Sequence, residues 1–449
     1  MLQAVATPPN PAPGPTSCPS PSPGPSPGPS PTRPTPVTGL ILTGGGARAA
    51  YQVGVLAAIA QLRRDAGATH SNPFPVISGT SAGGINASAL ACYADDFDAA
   101  VDGLLHLWQG LHVENIYRAD AFEAVKSSAR WLSMLSLGWA LARWTRSRPR
   151  SLLDNAPLRE LLSRYLRMDR IEAMLDGGHL RAVALTGSSY TSGQHVTFFQ
   201  THHHVVPWLR EQRIAVQTDL TLAHLMASAA IPFIFAAEPL ELEGLPEWFG
   251  DGSMRQSAPI SPAVHLGADR VLVIGAGRMK EPDGPRRLAD SEAHPSMAQI
   301  AGHAMSNIFL DALAVDVERL RRINRTLALL PRESRAATAL RSIELLVIAP
   351  SRRLDDLAAE HQASLPASVR AMLRAFGASG KDNSKSGAAL VSYLLFEPGF
   401  VGELINLGMS DTLAKRAEVQ RFFGWPARAP QIDPASLRKN RSAGFAAGC

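Results

Sequence analysis

Phe74-Pro75-Val76-Ile77-Ser78-Gly79-Thr80-Ser81-Ala82-Gly83 decides how the rest of this 449-residue chain is read. Its first five residues form a short apolar strand candidate, and the small-residue run from Ala82 to Ala94 reads as a helix. A serine on a sharp strand-to-helix turn needs small neighbours, because the backbone pinches there and the hydroxyl must stand clear of its own walls. Gly79 and Gly83 give Ser81 that room, and Thr80 and Ala82 complete a nucleophile elbow. The helix that follows aims its unpaired N–H groups and positive dipole end at the reacting centre. G-x-S-x-G also arises by chance in Gly- and Ser-rich chains. The flanking strand and helix therefore carry the assignment, rather than the pentapeptide.

Upstream, Leu40-Ile41-Leu42-Thr43-Gly44-Gly45-Gly46-Ala47-Arg48-Ala49-Ala50-Tyr51 repeats the arrangement. An apolar strand leads into glycines and then into a helix with Val55, Ile59 and Leu62 at helical spacing. Consecutive glycines leave backbone N–H groups unobstructed, which suits an anion. Three readings stand at this point. Gly44, Gly45 and Gly46 could form an oxyanion hole for an acyl-transfer intermediate made at Ser81. Gly44, Gly46 and Ala49 also fit the G-x-G-x-x-A of a dinucleotide loop, with Asp65 near the spacing of a ribose acid. That acid should end a second strand, whereas Gln61-Leu62-Arg63-Arg64-Asp65 looks like the charged tail of the first helix. The third reading is a tight turn without chemistry.

Far downstream stands Trp248-Phe249-Gly250-Asp251-Gly252-Ser253. An Asp between glycines is commonly a turn former. With an elbow and a glycine loop already present, Asp251 becomes the natural base for Ser81. A carboxylate does this work without histidine if it lies within hydrogen-bond reach in a dry pocket that raises its basicity. His265, His294 and His303 follow Asp251, so a Ser–Asp–His triad in the chain order of α/β-hydrolases is the competing arrangement. None of the three sits in a recognisable motif.

The glycine loop with Arg48, then Gly79-Thr80-Ser81-Ala82-Gly83, then Asp251-Gly252, in that order and spacing, resembles the patatin-like phospholipase family. Ala227-Ser228-Ala229-Ala230-Ile231-Pro232 resembles a further segment of that family, and together these stretches cover residues 38–277. The resemblance implies a Ser–Asp dyad with Ser81 as nucleophile and Asp251 as general base. It also implies that the amides of Gly44, Gly45 and Gly46, with Arg48, stabilise the oxyanion, and that acyl-ester hydrolysis on lipids proceeds without metal or organic cofactor. Two residues depart from the family pattern: Ala49 stands where glycine is usual, and Ser253 follows Asp-Gly where glycine or alanine is usual. A carboxylate base implies activity that persists below the histidine titration near pH ~6.5.

Outside these motifs the chain divides into three parts. Residues 1–37 are dominated by Pro, Ser, Gly and Thr, with Arg33 the only charged side chain, and read as a disordered tail without the features of a secretory signal. Residues 38–350 alternate strand and helix patterns, with strands expected at Gly39–Leu42, Pro75–Ser78, His179–Leu185, Val196–Phe199, Arg270–Gly275 and Ile343–Ile348. That alternation predicts a three-layer α/β/α sandwich around a central, mostly parallel sheet, with both glycine loops at strand carboxyl ends. Residues 351–449 turn helical and polar, a C-terminal extension that covers the pocket, mediates self-association or completes the fold.

The three cysteines, Cys18, Cys92 and Cys449, are too few and scattered for a disulfide framework, which suits a reducing compartment or simple indifference to redox. No spacing suggests zinc, and the consecutive His202, His203 and His204 do not converge on one ion. His179 and His224 read as structural. A net charge of +5 favours anionic membranes as readily as nucleic acid, and no nucleic-acid motif accompanies it. Trp131 to Ala142 is apolar and is followed by Arg143, Arg146, Arg148 and Arg150. The run is too short to span a bilayer, which needs about 20 residues. It reads either as an interfacial helix, giving peripheral membrane contact through residues 131–150, or as a buried helix beside a basic turn. The expectation is a cytoplasmic enzyme, peripheral on the inner face of a membrane, that cleaves acyl esters of phospholipids or lysophospholipids. The alternatives are a nucleotide-binding module using Gly44 to Ala49 and a catalytically silent lipid-binding protein of the same fold.

Overall fold

The computed structural model describes residues 36–69, 71–118, 151–278, 300, 302–304, 312–375 and 388–426. Five parallel strands form the centre of one mixed sheet, in the spatial order β10 (Glu344–Ile348), β9 (Arg270–Ile274), β1 (Thr38–Leu42), β2 (Val76–Thr80), β3 (Ala182–Ser189). β4 (His195–Gln200) runs antiparallel to β3, and β6 (Arg213–Gln217) and β5 (Leu209–Arg210) complete that edge. A hairpin of β7 (Glu238–Leu242) and β8 (Leu245–Asp251) branches off at the end of β3, where Gly187 pairs with Asp251.

Alternate residues of the central strands feed two separate cores. Leu40, Leu42, Ile77, Leu185 and Leu272 enter one, while Ile41, Val76, Ala184, Val271 and Val273 enter the other. Strands apolar on both faces must be covered on both, which is why the molecule has three layers. In chain order the helices are α1 (Ala50–Asp65), α2 (Ala82–Cys92), α3 (Phe97–Gln109), α4 (Val113–Ile116), α5 (Ala156–Tyr165), α6 (Arg170–Asp176), α7 (Leu222–Ser228) and α8 (Ser261–His265). After them come α9 (Ala312–Leu329), α10 (Arg332–Ala336), α11 (Leu354–His361), α12 (Ala367–Ala375), α13 (Ala388–Leu394), α14 (Pro398–Ala414) and α15 (Arg416–Phe423). Helices α1, α2, α3 and α7 lie over the first core, and α8 and α9 cover the second.

Pro36–Cys449 groups as one compact unit, so the helices after residue 350 belong with the sheet. α14 crosses α1 at closest approach through two glycines. A Cβ on Gly54 would lie 1.9 Å from the Ile405 carbonyl oxygen, and one on Gly408 would lie 2.2 Å from that of Tyr51. Among the described residues no single helix is long and apolar enough to cross a bilayer.

The six strands expected from sequence are present as β1, β2, β3, β4, β9 and β10. The β7–β8 hairpin is the main addition. Its polar residues, with Glu241 and Trp248 exposed, leave it without the apolar run of a central strand.

Candidate active site

Thr80 ends β2 and Ala82 opens α2, leaving Ser81 alone at the turn with φ 55° and ψ −132°. A side chain held in that region stores about 1–3 kcal/mol of backbone strain and persists only where its surroundings over-determine it. They do so here. A Cβ on Gly83 would lie 2.3 Å from the Leu42 carbonyl oxygen, so the elbow presses on the end of β1. The Ser81 N–H donates to the buried Ser228 hydroxyl at 3.0 Å.

Asp251, the last residue of β8, is brought to the same point by its pairing with Gly187, one position beyond the Thr80–Thr186 pair. The Ser81 hydroxyl donates to Asp251 Oδ2 at 2.5 Å, and the Ser253 N–H donates to Oδ1 at 2.8 Å. Backbone bonds fix the carboxylate's own segment: Asp251 N–H to Ala230 O at 2.9 Å, and Gly252 N–H to Ser228 O at 3.2 Å. Asp251 is fully buried. Burial pushes its carboxyl up to about 6, against the hydrogen bonds from Ser81 and Ser253 that pull it down. A buried carboxylate of raised basicity, bonded to a serine hydroxyl, is chemically able to take that hydroxyl's proton.

The glycine loop follows β1 and closes into a 3-10 turn at Gly46–Ala49. Gly46 has φ +54°, and a Cβ there would lie 2.3 Å from the Tyr393 carbonyl oxygen, so both conformation and space demand glycine. Among the described residues, no protein acceptor takes the N–H groups of Gly44, Gly45 or Gly46. A buried polar network holds the loop from behind. Gln52 Nε2 donates to Thr43 O at 2.7 Å, and Asn86 Nδ2 donates to Ala49 O at 3.2 Å and to Gln52 Oε1 at 3.0 Å. The methyl of Ala49 is itself fully buried, so the fold accommodates it in place of glycine.

Arg48 lies on the far side of the loop. Its guanidinium turns to the C-terminal helices, where Nε donates to Ser392 Oγ at 2.7 Å and the group pairs with the Asp355 carboxylate. It also donates to Ala389 O at 3.3 Å and lies over the Tyr393 ring, 3.9 Å from the centroid. These bonds tie the glycine loop to the C-terminal helices.

From Ser81 and Gly46 a narrow cavity of about 30 Å³ leads between Leu107, Trp108, Ile116, Leu158, Ile231 and Phe396. Its lining is almost wholly apolar. Phe396 is stacked on Trp108 with ring centroids 6.3 Å apart, so the segment after α13 forms part of the wall. Sequence reading did not find Ser228, Asn86, Gln52 or the cavity lining. Only the likeness of Ala227 to Pro232 to a family segment pointed toward Ser228.

The other expectations divide as follows. His265 stacks on Trp208, 4.4 Å between centroids, against the core on the far face of the sheet, and His303 is exposed. His202 lies between two carboxylates of α6, Nε2 at 3.0 Å from Glu172 and Nδ1 at 3.3 Å from Asp176, on the surface. Asp65 ends α1 rather than a strand and pairs with Arg416 at 3.8 Å, which removes it from the place of a ribose acid. His294, the tail 1–35, and the membrane segment 131–150 lie outside the described residues.

Comparison with known proteins follows the same lines. The chain is similar to human GIVD cytosolic phospholipase A2 at 11% identity and TM-score 0.40, over 86% of this chain and 60% of that chain. The same enzyme in complex with methyl gamma-linolenyl fluorophosphonate inhibitor and terbium chloride gives 13% identity and TM-score 0.37, over 86% and 59%. VipD from Legionella pneumophila gives 12% identity and TM-score 0.25, over 83% and 67%. This chain thus spans about 60% of the length of the phospholipase A2. No curated protein sequence matches it. The sequence profile of the patatin-like phospholipase family matches residues 40–264, half of the chain. The chain belongs to the patatin-like phospholipase family.

Proposed function

We propose that this protein cleaves fatty-acyl esters of phospholipids or lysophospholipids through a Ser81–Asp251 dyad and an acyl-enzyme. Ser81 Oγ attacks the ester carbonyl carbon as its proton passes to Asp251, and the carbonyl oxygen gains the negative charge. The amides of Gly44, Gly45 and Gly46 receive that oxyanion. Collapse of the tetrahedral species breaks the ester C–O bond, and Asp251 returns its proton to the departing lysolipid or glycerophosphoryl oxygen. Water, giving a proton to the same carboxylate, then attacks the acyl-enzyme and releases the fatty acid, and Ser81 is restored. No step calls on a metal or organic cofactor.

The observation that carries this reading is the 2.5 Å hydrogen bond from Ser81 to a fully buried carboxylate at the head of an apolar cavity. The apolar lining of the cavity favours an acyl chain over a nucleotide, and at about 30 Å³ the cavity must widen to admit that chain.

Labelling with a fluorophosphonate probe tests the nucleophile. The native protein should be modified at Ser81, and Ser81→Ala should neither label nor turn over a short-chain ester. A native protein that stays unlabelled and inactive would favour the silent lipid-binding alternative. Tight dinucleotide binding, with no effect of Ser81→Ala on any activity, would favour the nucleotide module.

A further inference from the structure

Thr80, the residue before the nucleophile, faces Thr186 across β2 and β3, and the two hydroxyls share a hydrogen bond at 2.7 Å. Both side chains are buried. A third group reaches this pair from the loop after β8: Gln256 Nε2 donates to Thr80 Oγ1 at 2.8 Å. One side chain from the loop that leaves the base is thereby tied to the turn that carries the nucleophile.

Thr186 also meets the base's side of the centre. A Cβ on Gly252 would run into the carbonyl and hydroxyl oxygens of Thr186, so the residue after Asp251 rests directly on it. Strand β3 lies between β2 and β8, pairing with β2 at Thr186 and with β8 at Gly187. Ser81 lies just past the Thr80–Thr186 rung, and Asp251 is the end of β8. Beyond those rungs the ladder ends, and other contacts must set the separation of hydroxyl and carboxylate.

The loop that carries Gln256 is built to a fixed shape. Arg255 has φ +60°, a region in which a non-glycine residue persists only where its surroundings impose it. They do so here: its guanidinium donates to Gly193 O, Ser257 N–H donates to Arg255 O at 2.9 Å, and Met254 N–H donates to Asp251 O at 3.2 Å. Holding a glutamine side chain in one rotamer costs conformational entropy. The bond that offsets this cost ends on a buried hydroxyl, where a missing donor is not replaced by bulk water.

We propose that Gln256 is a positioning residue of this centre, which through Thr80 and Thr186 holds Ser81 and Asp251 at the separation across which the serine proton passes. The inference rests on the Ser81–Asp251 reading and adds to it a residue that touches neither substrate nor reacting atoms. Ser81 Oγ and Asp251 Oδ2 stand 2.5 Å apart, and a misplacement of about 1 Å is enough to lower turnover about 100-fold.

Gln256→Met keeps the length of the side chain and removes its donor. On a soluble short-chain ester its kcat should fall about 10- to 100-fold with KM within about twofold, and fluorophosphonate labelling of Ser81 should slow in step. Thr186→Val, which keeps the shape and removes the hydroxyl, should do the same. The double variant should be little slower than the worse single one, because both act through one chain of hydrogen bonds. Thr186→Ser, which returns the hydroxyl, should recover most of the loss. Crystal structures of native protein and Gln256→Met at one pH should show the Ser81–Asp251 separation lengthened from 2.5 Å to beyond about 3 Å, the outer range of an O–H···O bond. Should Gln256→Met not fold, Thr186→Val and Thr186→Ser carry the same readings.

A folded Gln256→Met protein with native kcat would overturn the proposal, as would a slowed one whose Ser81–Asp251 separation is unchanged. So would a raised KM with kcat kept, or a double variant as slow as the product of the single losses. A native protein that neither labels nor hydrolyses an ester would instead overturn the Ser81 reading. The separation measured in Gln256→Met would still decide whether Gln256 positions the pair.

Discussion

Ser228 joins the two halves of the reaction centre to Ser81: its hydroxyl accepts the Ser81 N–H at 3.0 Å, while its carbonyl accepts the Gly252 N–H at 3.2 Å. Ser228 thus ties the turn after β2 to the end of β8, beside the direct Ser81–Asp251 bond, and helps set the distance between nucleophile and base. Ser228→Ala leaves a buried N–H without its acceptor, which should cost about 1–3 kcal/mol of stability. Turnover should fall about 10- to 100-fold through misplacement of Ser81, with little change in KM for a soluble ester. Steady-state kinetics beside a thermal melt would check both, and a folded variant with native turnover would show that the clamp is not needed.

Asp251 should set the acid limb of activity near pH 6, where burial has moved it. Asp251→Asn should be as inactive as Ser81→Ala, because the amide keeps the shape and cannot accept the proton.

The same shift has a stability consequence of definite sign. The folded value of about 6 lies above the unfolded carboxylate value of ~3.9, so between them the native state holds a proton that the unfolded chain has released. The stabilising contribution of Asp251 is whole below ~3.9 and is lost as pH rises through about 6. Relative to native protein, Asp251→Asn should gain on the order of 2 kcal/mol between pH 4.5 and pH 7.5. Denaturant unfolding at both pH values measures it, and parallel pH profiles for the two proteins would exclude a buried charge penalty.

Arg48 should act through the C-terminal helices. Arg48→Ala breaks a largely buried ion pair and should cost about 3–5 kcal/mol, less any relief from the part-exposed Asp355. It should also lower turnover about 10- to 1,000-fold, the range for a disturbed oxyanion contact. Asp355→Ala should lower turnover in the same direction, with non-additivity in the double variant. Native activity in Asp355→Ala, with activity lost only in Arg48→Ala, would return Arg48 to the oxyanion itself.

The histidines provide the discriminating test between dyad and triad. An acid limb near pH 6 lies close to ordinary histidine titration, so the profile expected from an unshifted carboxylate no longer separates the two mechanisms. Substitution does. His265→Ala and His303→Ala should each retain turnover within about twofold, as for surface changes away from the site. A folded variant of either that matched the loss in Ser81→Ala would restore a triad.

The parts legible in sequence are those written as local patterns. Runs such as Val271 to Ile274 are apolar at every position because both faces of a parallel strand are covered, and the elbow announces itself by small residues around Ser81. The β7–β8 hairpin escaped because Gly250 and Asp251 imitate a turn, although Asp251 is the last rung of a strand. The clamp and buttress escaped for another reason. The hydrogen bond from Arg48 to Ser392 joins residues 344 positions apart, and no periodicity records such a pairing. Asn86 and Gln52 look like interruptions of apolar helices until the loop that they hold is placed between them.

The packing of Tyr393 and Asp355 on Gly46 and Arg48 fixes an order of events during synthesis. Nucleophile, glycines and carboxylate all emerge within the first 251 residues, yet the loop gains its support only when the chain has been made past residue 393. A ribosome-bound fragment carrying every motif residue therefore lacks the wall that Tyr393 and Phe396 provide. The walled reaction centre is therefore expected only after the segment that carries Tyr393 and Phe396 has been made.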